Sequence, residues 1–184
     1  MTTMPRPRPA ALDFRDKIKN RRHVLGTFIK IPTSHTVEIV GLVGFDFVIL
    51  DQEHAPLDRS AIDIACLAAR AADIAAIVRV PEANAAGIMS ALDCGATGVM
   101  VPHCYSAEKA RLIAAACRHR GGARGYATTT RAGGYGGARG EDHMTGQDAT
   151  TTCIAMIELK ASTARSRTAT GSWVCRDASV AAIV

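Results

Sequence analysis

The sequence predicts an α/β fold built on a parallel sheet that curves toward a barrel, and three observations predict it. Short apolar runs rich in β-branched residues recur along the chain, each followed by an alanine-rich helical stretch. These runs stop abruptly at polar residues or proline, as strands buried on both faces do. The turn after the first run, Lys30-Ile-Pro-Thr-Ser34, has no glycine, and no GxxxxGK(S/T) segment occurs. That removes the phosphate-cradling turn of a doubly wound nucleotide fold and favours the barrel.

The elements follow in order. Thr2 to Pro9 is a proline- and arginine-rich lead, and a short helix covers Leu12 to Asn20. Leu25 to Ile31 is a first strand, and Ser34 caps a helix over His35 to Val43. Phe47 to Leu50 is a second strand, followed by a helix over Ala61 to Ala72 whose Ile62, Cys66 and Ala69 share a face. Ala75 to Val80 is a third strand, and Ala85 to Asp93 is a helix stopped by Gly95 in a left-handed position. Thr97 to Val101 is a fourth strand broken by Pro102, and Ser106 caps a helix running to Arg118. Gly121 to Gly140 reads as a long mobile loop, and such loops are often functional. Thr152 to Ile157 resumes the buried-strand pattern, counted as the sixth strand of the barrel, and delivers Glu158 at its end.

Composition narrows the function. The 184 residues suffice for one domain with a sizeable core. The net charge of +5 is scattered and lacks an aromatic–basic stripe, which argues against nucleic acid. Six cysteines without CxxC spacing suit reduced thiols in a cytoplasmic protein. No apolar run approaches membrane-spanning length, and Met1 to Pro9 lacks the apolar core of a signal peptide.

The polar strand ends are the candidate chemistry. Asp51, Glu53 and His54 close the second strand, Arg79 ends the third and Glu158 the last. In parallel α/β folds the C-terminal ends of strands are where chemistry is placed. Arg79 is either paired with a neighbouring acid or is a planar fork for a substrate carboxylate. Glu158 is a cap or an oxygen ligand for a hard divalent cation. An imidazole, an arginine and a metal carboxylate together suit chemistry on a 2-oxo acid. His103, His119 and His143 read as surface or loop residues.

The segments LGTFIKIP (25–32), FDFVILDQEHAP (45–56), AAIVRVP (75–81), LDCGATGVMVP (92–102), GARGY (122–126) and IAMIE (154–158) together resemble a known family. It is the HpcH/HpaI-type class II 2-oxo-acid aldolases, which include 4-hydroxy-2-oxoheptanedioate and 2-dehydro-3-deoxyglucarate aldolases. The resemblance implies a (β/α) TIM-type barrel of the pyruvate/phosphoenolpyruvate superfamily, often hexameric. It implies cleavage of 4-hydroxy-2-oxo acids to pyruvate or an analogue plus an aldehyde, with Mg²⁺, Mn²⁺ or a similar ion such as Co²⁺. Carried over by position, His54 is the catalytic acid/base and Asp93 the carboxylate that orients it. Arg79 binds the pyruvyl carboxylate, and Glu158 is the first metal ligand.

The resemblance covers residues 25–158, preceded by a lead over 1–24 and followed by a divergent tail over 159–184. In the family a Gly-Pro-x-Asp-Leu-like turn brings a second metal ligand, and no such turn occurs after Glu158. The tail is rich in Ser, Thr and Arg, and Asp177 is its only acid. The expectation is a partial barrel lacking its last strands, from a frameshift near Leu159 or a degraded copy. Little regular structure is expected over Ala161 to Ser172, with Val180 to Val184 docking against the open edge. The missing second ligand implies an aldolase impaired in this form, and two alternatives stand beside it. One is a non-catalytic remnant assembling with homologous subunits, the other a citrate-lyase-β-like or malyl-CoA-lyase-like enzyme.

Overall fold

A computed structural model describes residues 9–137, 140–158 and 180–183. Five parallel strands lie side by side in chain order: β1 (Gly26–Ile29), β2 (Phe47–Asp51), β3 (Ala75–Arg79), β4 (Gly98–Cys104) and β5 (Thr152–Ile157). A sixth, β6 (Val180–Ile183), pairs antiparallel with the outer edge of β5. Glu158 therefore follows the fifth strand, not a sixth, because β5 hydrogen-bonds directly to β4 with no strand between. The stretch Ala161 to Ser172 and Asp177 lie outside the described residues.

Helices α2 (Ser34–Leu42), α3 (Arg59–Ala71), α4 (Ala85–Asp93) and α5 (Ala107–Ala116) cover the convex side, α1 (Pro9–Lys19) packs on the other face, and α6 (Gly140–Thr150) contacts α1. Side-chain caps start four of them by accepting otherwise orphaned backbone N–H groups. Asp58 accepts from Ala61 N at 2.8 Å, Asn84 from Gly87 N at 2.6 Å and Ser106 from Lys109 N at 3.1 Å. The cap of α2 is Thr33, which accepts from His35 N; Ser34 is already in the helix. The expected left-handed stop after α4 is present at Gly95, with φ of 95°.

Two departures from the sequence reading have physical causes. β4 does not break at Pro102 but runs on to Cys104. Its register with β5 slips there, from Val101 opposite Ala155 to Cys104 opposite Ile157, so two residues oppose Met156. A bulge is one of the few places where a strand tolerates proline, which has no N–H for the ladder. The second departure is α6, whose polar sequence GEDHMTGQDAT shows no apolar stripe. It places His143 in the interior at 7% exposure, so this is no surface histidine.

Strand alternation sorts the core into two layers. Val48, Leu50, Ala76, Val78, Val99, Val101, Cys153 and Ala155 point to the helices. Ile49, Ala75, Ile77, Met100 and Ile154 point the other way and meet Phe14 of α1, whose ring lies 5.0 Å from that of Phe47. β4 and β5 are pinned closely, since a Cβ on Gly98 would lie 2.1 Å from the Thr152 carbonyl oxygen. Among the described residues no helix is long and apolar enough to cross a membrane.

Candidate active site at the strand ends

The same alternation builds the site. Positions 47, 49 and 51 of β2, and 75, 77 and 79 of β3, share the concave face, so Asp51 and Arg79 stand above Ile49 and Ile77. Register places them side by side, Asp51 opposite Arg79. Continuing β5 through Ile154 and Met156 brings Glu158 to the same face and end. The structure thus gathers Arg79, Glu158 and the Asp51–Glu53–His54 segment on one rim.

Asp51 is fully buried and tied on every side. Arg79 donates to it from Nε at 2.9 Å and from NH2 at 2.7 Å, and backbone N–H groups of Glu53 and His54 each reach Oδ1 at 3.1 Å. Lys30, just beyond β1, places Nζ 3.5 Å from Oδ2. Burial pushes the Asp51 carboxyl up, but the Arg79 guanidinium and the two backbone donors outweigh it and hold it at about 2. Arg79 is held above its usual range, first by the hydrogen bonds to Asp51 and against the effect of its own burial. Its NH1 also lies 3.2 Å from Glu53, and its Cζ sits 4.9 Å from the Phe28 ring centroid. The charge that would be costly on a buried strand is thus paired. The Nε–NH2 edge of the fork belongs to Asp51 and NH1 also faces Glu53, so an incoming anion meets the N–H groups that these two acids leave.

The depressed Asp51 carboxyl links stability to pH. The unfolded chain takes up the proton first, so the contribution is full above the ordinary value of 3.8 and is lost as pH falls through about 2. A shift of this size is worth about 2 kcal/mol. The ¹³C resonance of the Asp51 carboxyl is expected to titrate near 2 in the folded protein; a midpoint near 4 would contradict the buried pairing.

His54 follows on the loop beyond β2, 62% exposed in its side chain, with Nε2 3.7 Å from Glu53 Oε1. Asp93 is not brought to it. Asp93 closes α4, the helix that leads back from the rim to the start of β4, and the two share no hydrogen bond or ion pair. Its ionic partner is Arg124 at 3.9 Å; burial pushes its carboxyl up, against the pull of Arg124 and Arg59. Within this chain α4 carries Asp93 away from the rim, and its contact is Arg124 instead of His54.

His103 is exposed, as expected, but stands nearer the site than its sequence context suggested. The bulge sets it on the rim between two acids, with Nδ1 2.6 Å from Glu158 Oε2 and Nε2 3.3 Å from Glu53 Oε1. The available signal was its place two residues beyond the apolar run of β4, masked by reading Pro102 as a stop. His119 is half-buried, facing Tyr126 and His143 away from these acids.

A divalent cation finds one suitable donor here. Glu158 is a carboxylate with a side chain 31% exposed, and among the described residues only its Oε2 is engaged. Hard cations such as Mg²⁺ use one or two carboxylates and complete their shell with water and substrate oxygens. Among the described residues no group of three or more His, Cys, Asp or Glu is placed to hold an ion. Glu158 fits as a single ligand.

Comparison with known proteins places this rim in context. The profile of the HpcH/HpaI aldolase/citrate lyase family matches residues 25–164. A hydroxypyruvate/pyruvate aldolase of Roseobacter denitrificans is 33% identical over 156 residues, covering 83% of this chain and 60% of that protein. A 4-hydroxy-2-oxovalerate aldolase of Rhodococcus jostii is 33% identical over 126 residues, covering 66% of this chain and 49% of that one. The crystal structure of an HpcH/HpaI aldolase from Desulfitobacterium hafniense superposes with a TM-score of 0.69 at 26% identity, over 78% of this chain and 56% of that one. The chain spans between about half and three fifths of the length of these relatives.

Proposed function

The chain belongs to the HpcH/HpaI aldolase/citrate lyase family, and from that premise we propose that its rim serves a carbon–carbon lyase acting on 4-hydroxy-2-oxo acids, releasing pyruvate or a close analogue and an aldehyde. The observation that carries the reading is the convergence of Arg79, Glu158 and the Asp51–His54 segment at the C-terminal ends of β2, β3 and β5.

In this reading Arg79 takes the substrate carboxylate and the developing enolate with the N–H groups that Asp51 and Glu53 leave free. Asp51 holds the guanidinium plane fixed, so the fork is set before substrate arrives. His54, exposed beside Glu53, removes the proton from the 4-hydroxyl as the C3–C4 bond breaks. The electrons of that bond pass into the pyruvate enolate, and a proton delivered to C3 completes pyruvate. Glu158 would hold a divalent cation such as Mg²⁺ or Mn²⁺, which would supply Lewis-acid polarisation of the 2-oxo group.

The test is pyruvate release from a panel of 4-hydroxy-2-oxo acids with Mg²⁺ or Mn²⁺ and with EDTA. Metal-supported release that EDTA stops is expected, with Glu158→Gln silent under both conditions. Release that persists undiminished in Glu158→Gln would remove Glu158 from the reaction.

A further inference from the structure

We propose that His103 is a positioning residue for Glu158: its imidazole holds one carboxylate oxygen, steadied on its far side by Glu53, and leaves the other oxygen for the cation. This rests on the reading of Glu158 given above and adds a residue to it. Three features of the chain point the same way. The bulge in β4 sets Pro102 and His103 together opposite Met156, so the extra residue re-aims the strand at the rim. Bulges are concentrated beside active sites for this reason. His103 also adopts a φ of 58°, a left-handed conformation uncommon outside glycine, which histidine takes more often than most residues, as asparagine and aspartate do. Burial does not enforce it, because the side chain is 56% exposed.

What holds the ring is its pair of carboxylates, 2.6 Å to Glu158 Oε2 and 3.3 Å to Glu53 Oε1. A carboxylate oxygen accepts, so Nδ1 donates its hydrogen to Glu158 Oε2, and the Nε2 contact with Glu53 is attractive when that nitrogen carries a hydrogen too. Engagement of one oxygen fixes the rotation of the carboxylate and so the direction of the other. Residues that hydrogen-bond a ligating carboxylate in this way tune metal affinity without touching the ion.

Mn²⁺ binding to the full chain, followed by the loss of the free-ion electron paramagnetic resonance signal, tests this without any turnover. His103→Gly relieves the backbone conformation and removes the hydrogen bond; it should weaken Mn²⁺ binding by about 10- to 100-fold without lowering the thermal midpoint. His103→Asn accepts the same backbone and puts an amide nitrogen near the place of Nδ1, so its affinity should return close to wild type. Unchanged affinity in His103→Gly overturns the role of His103 and leaves Glu158 standing. An asparagine variant as weak as the glycine variant overturns the hydrogen bond as the cause. A wild-type chain that takes up no Mn²⁺ overturns the Glu158 reading itself, and this inference with it.

Discussion

Arg79→Met is expected to destabilise the protein by about 3–5 kcal/mol, the usual consequence of removing one partner from a buried ion pair. Asp51 is fully buried, and both of its oxygens accept from this one guanidinium. With the arginine gone, Lys30 at 3.5 Å and 54% exposed is the nearest cation left. Chemical denaturation should therefore show a much lower midpoint with little change in slope. Adding Asp51→Leu to the same chain should recover much of the loss, because the uncompensated charge is then removed as well. A loss below about 1 kcal/mol in the single variant would mean a pair screened like a surface salt bridge. Arg79→Lys probes the fork separately from the charge. A point ammonium cannot satisfy both Asp51 oxygens and also present an edge to a carboxylate. Weaker pyruvate binding and slower enolisation are expected of it.

His54→Ala should lower turnover by roughly a hundredfold or more, the scale of a lost general acid–base group. Pyruvate binding should change far less, since Arg79 and Glu158 remain. Stability should also hold to within about 0.5 kcal/mol, as for other exposed positions, because the His54 side chain is 62% exposed. The backbone N–H that supports Asp51 survives the substitution. Full turnover in His54→Ala would exclude it as the proton carrier.

The strands were legible because each is an apolar run ending in charge or proline, and period-two alternation then dictates which polar end shares a face with which. That logic brings Asp51, Arg79 and Glu158 together before any contact is measured. α4 was legible to the residue, since Gly95 ends it in the left-handed position the sequence implied. His103 was hidden by the same logic, because a bulge breaks the alternation and shifts the face by one residue. α6 was hidden because its burial rests on His143 and no apolar stripe marks it. Asp93 was placed by resemblance at a position whose partner depends on tertiary structure. In this chain α4 carries it to Arg124.

Exchange of the pyruvate methyl protons for deuterium, followed by ¹H NMR in D₂O with Mg²⁺ present, tests the proposed rim most directly. It needs no aldehyde, and so reads enolisation by Arg79, Glu158 and the proton carrier alone. The wild-type chain should exchange the methyl protons, EDTA should stop the exchange, and Arg79→Lys should slow it by at least about tenfold. Exchange at the wild-type rate in Arg79→Lys, or none by the wild-type chain with Mg²⁺ added, would contradict the account.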